Sequence, residues 1–253
     1  MLRTRVIPAL LLREASLVKT QKFGRFTYVG DPCNTVRIFN ELEVDELLFL
    51  DIEATRRGRE PNFKILAEIA GECFMPVAYG GGLRTIDHVE RILSMGFEKV
   101  AINSHALEDA GFITRCAERF GSQAVIASID VRYTLFGGQR VFSQSGRRNS
   151  GRLPADWAKT LAGAGAGEIL LTSIDREGSW SGFDLGLVKS VSEAVDIPVI
   201  AHGGAGRIAD IGAAVKSAGA AAVALGSMVM FQRQGMGVLV NFPDRAELEA
   251  VLQ

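Results

Sequence analysis

The chain of 253 residues resembles itself at an offset of 122 residues. Three stretches carry the similarity: residues 46–52 align with 168–174, Gly81-Gly82 with Gly203-Gly204, and, after one inserted residue, Ile102-Asn103-Ser104 with Leu225-Gly226-Ser227. Each half has the pattern of a strand, a helix, a strand ending in glycines, a helix and a strand ending in a small polar residue. Two such halves in a chain of this length predict a closed eight-stranded β/α barrel, a TIM barrel with an internal half-barrel duplication.

Eight apolar segments alternate with amphipathic ones along the chain. Continuous apolar runs fit parallel strands that are covered on both faces. Strands are expected near 5–11, 46–52, 76–80, 98–103, 124–130, 168–174, 197–202 and 221–226, and helices near 34–43, 61–72, 86–95, 108–119, 153–163, 183–195, 207–218 and 244–252. Because a β/α barrel takes about 250 residues, we expect one domain that spans residues 1–253.

Two long connections interrupt this rhythm, at residues 13–32 after the first strand and at 132–151 after the fifth. Both leave the C-terminal ends of strands, where barrel enzymes build their active sites. Their length and their glycine, lysine and arginine content predict mobile lids over a ligand.

Composition excludes several classes of function. The net charge of −1 argues against binding to nucleic acid or to a membrane surface. No apolar run approaches the roughly 20 residues that span a bilayer, and no signal peptide opens the chain, so we expect a cytoplasmic protein. The cysteines, Cys33, Cys73 and Cys116, have no metal-like spacing, and we expect reduced thiols, no metal and no cofactor.

Glycines at the strand ends provide the first chemical signal. Glycine lets backbone N–H groups approach an anion, and a following helix adds a favourable dipole. The same glycines would also serve as plain turns between strand and helix, but the serine retained in both halves favours anion binding. One phosphate site is expected at Gly82, Asn103 and Ser104, and a second at Gly178, Gly204, Gly226 and Ser227. Two sites across one barrel mouth imply an elongated small-molecule ligand that is phosphorylated at both ends.

Many further stretches match a known family. They include 5–8, 30–32, 50–52, 80–82, 102–103, 120–123, 129–130, 157–159, 165–171, 173–176 and 203–206. In these stretches, over essentially its whole length, the sequence resembles HisF, the cyclase subunit of imidazole glycerol phosphate synthase. The resemblance implies an ammonia-using lyase that closes an imidazole ring and works with a HisH-like glutaminase docked at the N-terminal face of the barrel. It also places Lys19 on the first loop, where the residue contacts a phosphate or closes the loop.

The resemblance assigns acid/base work to two aspartates, which end the first and fifth strands. The second is Asp130, but the first falls on Leu11. Leucine cannot transfer a proton, and loss of one member of such a pair typically costs about 10²–10⁴-fold in rate. Two structural alternatives remain open: that Leu11 simply fills the barrel core, and that Asp130 caps the loop that follows it. A working enzyme would have to recruit another acid, such as Asp51 or Asp175.

Four charged residues lie at the opposite end of the barrel, at or near the starts of strands one, two, four and six. They are Arg5, Glu46, Lys99 and Glu168. Charged residues at strand ends are often simply exposed to solvent, and that interpretation also fits these four. The four positions also match the salt-bridged gate through which, in the family, ammonia enters from the glutaminase. Two acids and two bases around a pore are electrically balanced, as a closable gate requires.

With all four gate residues present and the strand-one acid absent, the sequence resembles one branch of the family, the acetamidino-modification proteins of bacterial surface-glycan pathways. Its marks are residues 10–12, Lys19-Thr20, 28–32, 59–63 and 238–243. In that branch the barrel and a glutaminase supply ammonia to a separate sugar amidotransferase, which converts an acetamido to an acetamidino group. An amide oxygen needs activation, usually by ATP, and this chain has no G-x-x-x-x-G-K-[ST] loop. The ATP-dependent step therefore belongs to another chain.

Three hypotheses follow from the sequence. The preferred one is an ammonia-conducting barrel with weak or lost ring closure. The second is a working cyclase of histidine biosynthesis that uses another acid. The third is a regulatory subunit, in which a bisphosphate at the barrel mouth activates the docked glutaminase.

Overall fold

The computed structural model describes residues 4–135 and 138–253. Eight parallel strands close into a barrel, in which the first strand pairs with the last and the fifth pairs with the sixth. The barrel strands, in chain order, are β1 (Arg5–Arg13), β4 (Leu47–Asp51), β5 (Val77–Gly80), β6 (Lys99–Ile102), β7 (Val125–Thr134), β10 (Glu168–Ser173), β11 (Val199–His202) and β12 (Ala222–Leu225). The predicted TIM barrel is confirmed.

Helices cover the outside of the barrel. They are α1 (Pro32–Glu41), α2 (Phe63–Glu72), α3 (Ile86–Ser94), α4 (Ser104–Glu108), α5 (Gly111–Phe120), α6 (Pro154–Gly163), α7 (Leu185–Ser192), α8 (Ile208–Lys216), α9 (Ser227–Met230) and α10 (Arg245–Leu252). Side chains such as Asp31 and Thr85 cap the helices by accepting a backbone N–H of the first turn. The helix expected at 108–119 is α5. A short helix that the sequence analysis did not predict, α4, precedes it, and the extended backbone of Asp109 follows α4.

The two long connections contain strands that the sequence analysis missed. They are β2 (Ser16–Thr20), β3 (Phe26–Gly30), β8 (Gly138–Ser143) and β9 (Arg148–Asn149). β1 and β7 run past the barrel and pair antiparallel with β2 and β8, so the expected loops are largely hairpins. Buried Leu17, Val18, Val141 and Phe142 explain this outcome, because their apolar side chains gain burial by extending the sheet. Part of the second expected loop, residues 136–137, lies outside the described residues.

Strand alternation decides which side chains fill the barrel. Successive residues of a strand face opposite sides, so every second residue points inward. On β1 these are Arg5, Ile7, Ala9 and Leu11, from the base of the barrel to its mouth. The apolar residues in the middle of the barrel form a cluster of their own: Ile7, Ala9, Leu48, Ala78, Ala101, Ile126, Leu170, Ile200, Ala222 and Ala224. A larger apolar cluster lies between the strands and the helices. None of the helices within the described ranges is long and apolar enough to cross a bilayer.

The interior cluster generates a stability prediction. Leu170 is fully buried inside the barrel, whereas Leu135 is 95% exposed. We expect Leu170→Ala to lower the free energy of unfolding by about 2–5 kcal/mol, because it removes buried methyl groups and leaves a cavity. Leu135→Ala is the matched control and should change it by less than about 0.5 kcal/mol. Urea unfolding of both variants measures the difference, and equal values would show that the barrel interior is not tightly packed.

Candidate functional site

A cavity of about 470 Å³ opens at the C-terminal ends of the barrel strands. Strand ends, βα turns and both hairpins contribute to its wall. The lining residues that bear on chemistry are Leu11, Arg13, Thr20, Asp51, Glu53, Arg56, Arg57, Gly82, Asn103, Ser104, Asp130, Arg147, Thr172, Glu177 and His202. The cavity therefore brings together Asp130, Leu11 and the first expected phosphate site.

Asp130 is the carboxyl of the cavity that is best suited to proton transfer. It follows Ile126 and Ser128 on the inward face of β7 and pairs with Thr172 of β10 in the parallel register. Burial raises the pKa of Asp130 to about 7, against the opposing effect of a hydrogen bond from the Thr172 side chain. A carboxyl with a pKa near 7 both gives and takes a proton at neutral pH.

Leu11 lies where the partner acid was expected. Its side chain is 5% exposed and lines the cavity, and its backbone pairs with Leu50 on one side and Val18 on the other. Two residues earlier on the same face, Ala9 is fully buried. The inward face of β1 is therefore apolar from Ile7 to Leu11 and provides no carboxyl that could act beside Asp130.

The two aspartates considered as replacements are placed differently. Asp51 lines the cavity, and burial raises its pKa although its Oδ1 accepts the backbone N–H groups of Glu53 and Ala54, both at 2.9 Å. Asp175 is not among the residues that line the cavity. Its Oδ2 accepts the backbone N–H of Tyr133 at 2.8 Å and so supports the hairpin of β7 and β8.

The first expected phosphate site faces the large cavity. Its backbone N–H at Gly82 donates to Thr55 Oγ1 at 3.1 Å, and Ser104 Oγ accepts the backbone N–H of Gln144 at 2.9 Å. Asn103 Nδ2 is buried and has no hydrogen-bond partner among the described residues. An incoming oxygen could accept this hydrogen bond, so the amide group is available to a ligand.

The second expected phosphate site surrounds a much smaller cavity of about 10 Å³. Its wall contains the predicted residues Gly178, Gly204, Gly226 and Ser227. Lys19 also lines it, buried at 4% exposure, and its Nζ donates to the carbonyl oxygen of Ala9. Burial lowers the pKa of Lys19 to about 8, while the nearby Glu177 carboxyl opposes the shift.

Two polar residues of the mouth, Glu177 and His202, were not anticipated from the sequence. Glu177 accepts hydrogen bonds from Thr20 Oγ1 at 2.9 Å and from the backbone N–H of Phe23 at 3.1 Å, and so holds the tip of the first hairpin. His202 Nδ1 lies 3.1 Å from Thr172 Oγ1, and burial lowers the pKa of His202 to about 3, so its ring is neutral. Their positions at the ends of strands or just beyond, beside glycines, were the signal that could have identified them.

The four charged residues at the base form a closed ring of ion pairs. Arg5 lies 2.5 Å from Glu46 and 2.7 Å from Glu168, and Lys99 lies 3.2 Å from each of the same carboxylates. The Glu46 side chain is 4% exposed and that of Arg5 27%, so the ring is only partly open to solvent. Glu168 Oε2 is buried without a hydrogen-bond partner in the described part of the chain. The ring spans the end of the barrel at which the apolar interior begins.

Fold and site together define a TIM-barrel protein with an acid/base-capable carboxyl at its mouth and an ion-pair ring at its base. A family model described as "Histidine biosynthesis protein" matches residues 5–234. The HisF subunit of imidazole glycerol phosphate synthase from Streptococcus gordonii is 43% identical over 206 residues, which cover 81% of this chain and 82% of the relative. The chain belongs to the HisF-like family of imidazole glycerol phosphate synthase cyclase subunits.

Two relatives with numbered names match over nearly the whole length. A Pseudomonas aeruginosa protein, named provisionally as imidazole glycerol phosphate synthase subunit hisF2, is 52% identical over 98% of this chain and 99% of its own length. A Vibrio vulnificus protein, named in the same way as subunit hisF3, is 42% identical over 100% of this chain and 98% of its own length.

The high pKa of Asp130 predicts how stability changes with pH. The folded chain holds this proton up to a pH of about 7, whereas an unfolded aspartate releases it near 3.8. The contribution of Asp130 to stability is therefore complete below pH 3.8 and lost as the pH rises through 7. Asp130→Asn should raise the free energy of unfolding by roughly 1–3 kcal/mol at pH 8 and by much less at pH 4.5.

Denaturant unfolding of wild type and variant at the two pH values measures this effect. The exposed Asp196 provides the control, since Asp196→Asn should change stability little at either pH. A gain from Asp130→Asn that does not depend on pH would mean that the carboxyl titrates near its ordinary value.

Proposed function

We propose that this protein is the ammonia-receiving barrel subunit of a glutamine amidotransferase complex, with weak or absent ring-closing activity. A glutaminase docks at the N-terminal face of the barrel, and its ammonia passes through the barrel interior to the mouth. The closed ion-pair ring of Arg5, Glu46, Lys99 and Glu168 carries this proposal, because it lies where ammonia would have to enter.

The barrel interior supports passage of a small neutral molecule. Of the ten residues in its apolar cluster, five are alanines, namely Ala9, Ala78, Ala101, Ala222 and Ala224. Short apolar side chains leave more room along the axis than leucines would, and they hold neither a charge nor a hydrogen-bonding group that would retain ammonia. The unpaired Glu168 Oε2 at the entrance provides one acceptor for an ammonia N–H.

The base of the barrel also offers surface for a partner. Phe74, in the turn that leads into β5, is 87% exposed, and Leu42, at the end of α1, is 38% exposed. Both precede barrel strands and so lie at the same end as the ring. Large exposed apolar side chains around a polar centre are typical of protein interfaces. A docked glutaminase would cover them and seal the pore from solvent.

The mouth explains why ring closure is weak in this proposal. Asp130 is competent for proton transfer, but the opposite strand end presents Leu11 and not a second acid. A reaction that needs a paired acid and base at these two strand ends loses one of them, and with it about 10²–10⁴-fold in rate.

The ammonia is then used by a second enzyme in this proposal. That enzyme is a separate ATP-dependent sugar amidotransferase, which converts an acetamido to an acetamidino group in bacterial surface-glycan biosynthesis. The branch resemblance of residues 10–12, 28–32, 59–63 and 238–243 supports this assignment. A phosphorylated small molecule binds at the mouth of the barrel.

One observation favours a second candidate function, a working cyclase of histidine biosynthesis. Asp51 lines the same cavity as Asp130, and burial raises its pKa, so it is placed to share proton transfer. Two hydrogen bonds from backbone N–H groups hold its Oδ1 and favour its charged form. Ring closure driven by free ammonium separates the two candidates, since only the second requires it.

The ring predicts the effect of removing one charge. Lys99→Met keeps the length of the side chain but leaves the carboxylates of Glu46 and Glu168 with Arg5 alone, so the ring opens. Glutamine should still be hydrolysed, but ammonia should leak, and glutamine-driven sugar amidation should fall by about tenfold or more. Amidation driven by added ammonium should stay within about twofold of wild type.

The assay uses the barrel, its glutaminase and the amidotransferase together, with free ammonia measured in parallel. Lys159→Met, on the exposed face of α6, is the matched control and should couple normally. An equal loss of glutamine-driven and ammonium-driven amidation would show that the ring only stabilises the barrel.

Leu11 predicts the catalytic state of the mouth. The wild-type chain should close the imidazole ring with ammonium at least about 100-fold more slowly than a cyclase with both aspartates. Leu11→Asp should restore a trace of activity, and Leu11→Asn, of the same size but without an acid, should restore none. Wild-type turnover within about tenfold of such a cyclase would contradict the proposed function and favour recruitment of Asp51.

A further inference from the structure

We propose that the segment beyond Asp130 docks the amidotransferase that uses the ammonia, through an acidic surface of that enzyme. This segment, the arginine arm, comprises residues 131–135 and 138–153 and contains the end of β7 together with β8 and β9. The inference rests on the proposed function, because conducted ammonia would leave the barrel at the mouth beside this arm.

The arginine arm carries a concentrated positive charge. Its residues include five arginines and no aspartate or glutamate, although the whole chain has a net charge of −1. The five are Arg132, Arg140, Arg147, Arg148 and Arg152. On the first hairpin, in contrast, Arg13 forms an ion pair with the buried carboxylate of Glu53. Within the described part of the chain, no arginine of the arm has a carboxylate at ion-pair distance, so their charges are available to a partner.

Two of these arginines lie directly opposite each other. Arg132 of β7 pairs with Arg140 of β8 across the antiparallel ladder. Opposite side chains share one face of a sheet with their Cβ atoms about 5 Å apart, and like charges at such positions are destabilising. Arg132 donates to the carbonyl oxygen of Gly146 at 3.0 Å and Arg140 to that of Gln139 at 2.8 Å. A partner carboxylate would relieve the repulsion, since a guanidinium binds a carboxylate through paired N–H donors.

The arm is a folded surface before any partner binds. Val131 and Val141 are buried in the large apolar cluster and fix the two strands to the barrel. The backbone N–H of Val141 also donates to the carbonyl oxygen of Arg152 at 3.0 Å, and Asp175 accepts the N–H of Tyr133 at 2.8 Å. Because a preformed surface loses less conformational freedom on binding, its arginines can contribute fully to affinity.

Exposed apolar side chains accompany the arginines around the mouth. Tyr133 and Leu135 are exposed on the arm, and Phe26 and Tyr28 are exposed on the first hairpin. Phe26 and Arg147 line the same large cavity, so the two hairpins stand around one opening. Aromatic residues and arginine are the residue types enriched at the energetic centres of protein interfaces. The rim of the mouth therefore has the composition of a protein-binding surface.

The position and charge of the arm select its partner. The proposed glutaminase site is at the opposite end of the barrel. A second copy of this chain, placed mouth to mouth, would bring two sets of unpaired arginines together, and these repel. Ammonia released into neutral water becomes ammonium, which has no lone pair with which to displace an oxygen. The enzyme that uses the ammonia must therefore cover the mouth, and carboxylates on its covering surface would complement the arm.

Binding of the full chain to the purified amidotransferase, measured by biolayer interferometry, tests this proposal. The double variant Arg140→Gln, Arg148→Gln should weaken binding by about tenfold or more, because it removes two unpaired charges of the arm. The matched control is Lys159→Gln, Lys189→Gln, which removes two exposed charges from α6 and α7 and should stay within about twofold of wild type. Raising NaCl from about 50 to about 300 mM should weaken wild-type binding more than binding of the arm variant.

A second pair of variants separates the two ends of the barrel. Leu135→Ala should weaken binding of the amidotransferase by about fivefold and leave binding of the glutaminase unchanged. Phe74→Ala, at the base, should leave binding of the amidotransferase unchanged. The arm variant should unfold at the wild-type temperature or slightly above it, since Arg140→Gln removes a like-charge contact and breaks no ion pair. If the arm variant unfolds earlier, the Leu135→Ala measurement decides.

Several outcomes would overturn the docking surface. They are wild-type affinity in the arm variant, equal losses in the arm and control variants, and no binding of the wild-type chain up to about 100 µM. Vesicles of phosphatidylglycerol and phosphatidylcholine provide a further test. If the arm variant loses binding to these vesicles but keeps its affinity for the amidotransferase, the arginines serve a membrane surface and the proposal fails.

The docking surface and the ammonia conduit fail separately. If Lys99→Met uncouples glutamine hydrolysis from amidation while the arm variant binds the amidotransferase normally, the conduit stands and the docking surface is wrong. If the arm variant loses the amidotransferase while Lys99→Met couples normally, the docking surface stands and the gate is wrong.

Discussion

The closure of β1 against β12 is the constraint on which the rest of the structure depends. Arg5 pairs with Ala222 and Pro8 with Leu225, so the sheet has no free edge around the barrel. Once the barrel is closed, each strand points every second residue at the axis and the residues between them at the surrounding helices. The charged base, the apolar interior and the leucine at the mouth are successive layers of the same inward face.

The layers have different energetic consequences. An ion pair in a partly buried place is stable only while both charges are present, and so the base ring holds together or fails as a unit. The alanine-rich interior contributes less burial per residue than a leucine-filled barrel would. Stability must therefore come mainly from the larger cluster between strands and helices, which contains large side chains such as Trp157, Phe39 and Phe112. The axis is left free to serve function.

Periodicity and the repeat were enough to predict the eight barrel strands, because long apolar runs leave few alternatives. The members of the base ring could also be grouped from the sequence, since each lies at or near the start of a strand. The hairpins and the hydrogen bond between Thr20 and Glu177 could not be predicted in this way. The hairpin segments look like loop sequence. Thr20 and Glu177 are 157 positions apart, and only the tertiary packing brings them together. The repeat itself predicts two anion sites, and the cavities at these two sites differ in volume, about 470 Å³ and about 10 Å³.

Barrel closure also has a consequence for synthesis of the chain. Strand β1 is made about 210 residues before its partner at residues 222–225. Until then one edge of β1, rich in leucine, has unpaired N–H and carbonyl groups and is prone to pair with other chains. The hairpin of β2 and β3 is complete soon after β1 and pairs with the end of β1 from within a few residues. It is therefore placed to shield the leucine-rich end of the nascent strand long before the barrel can close.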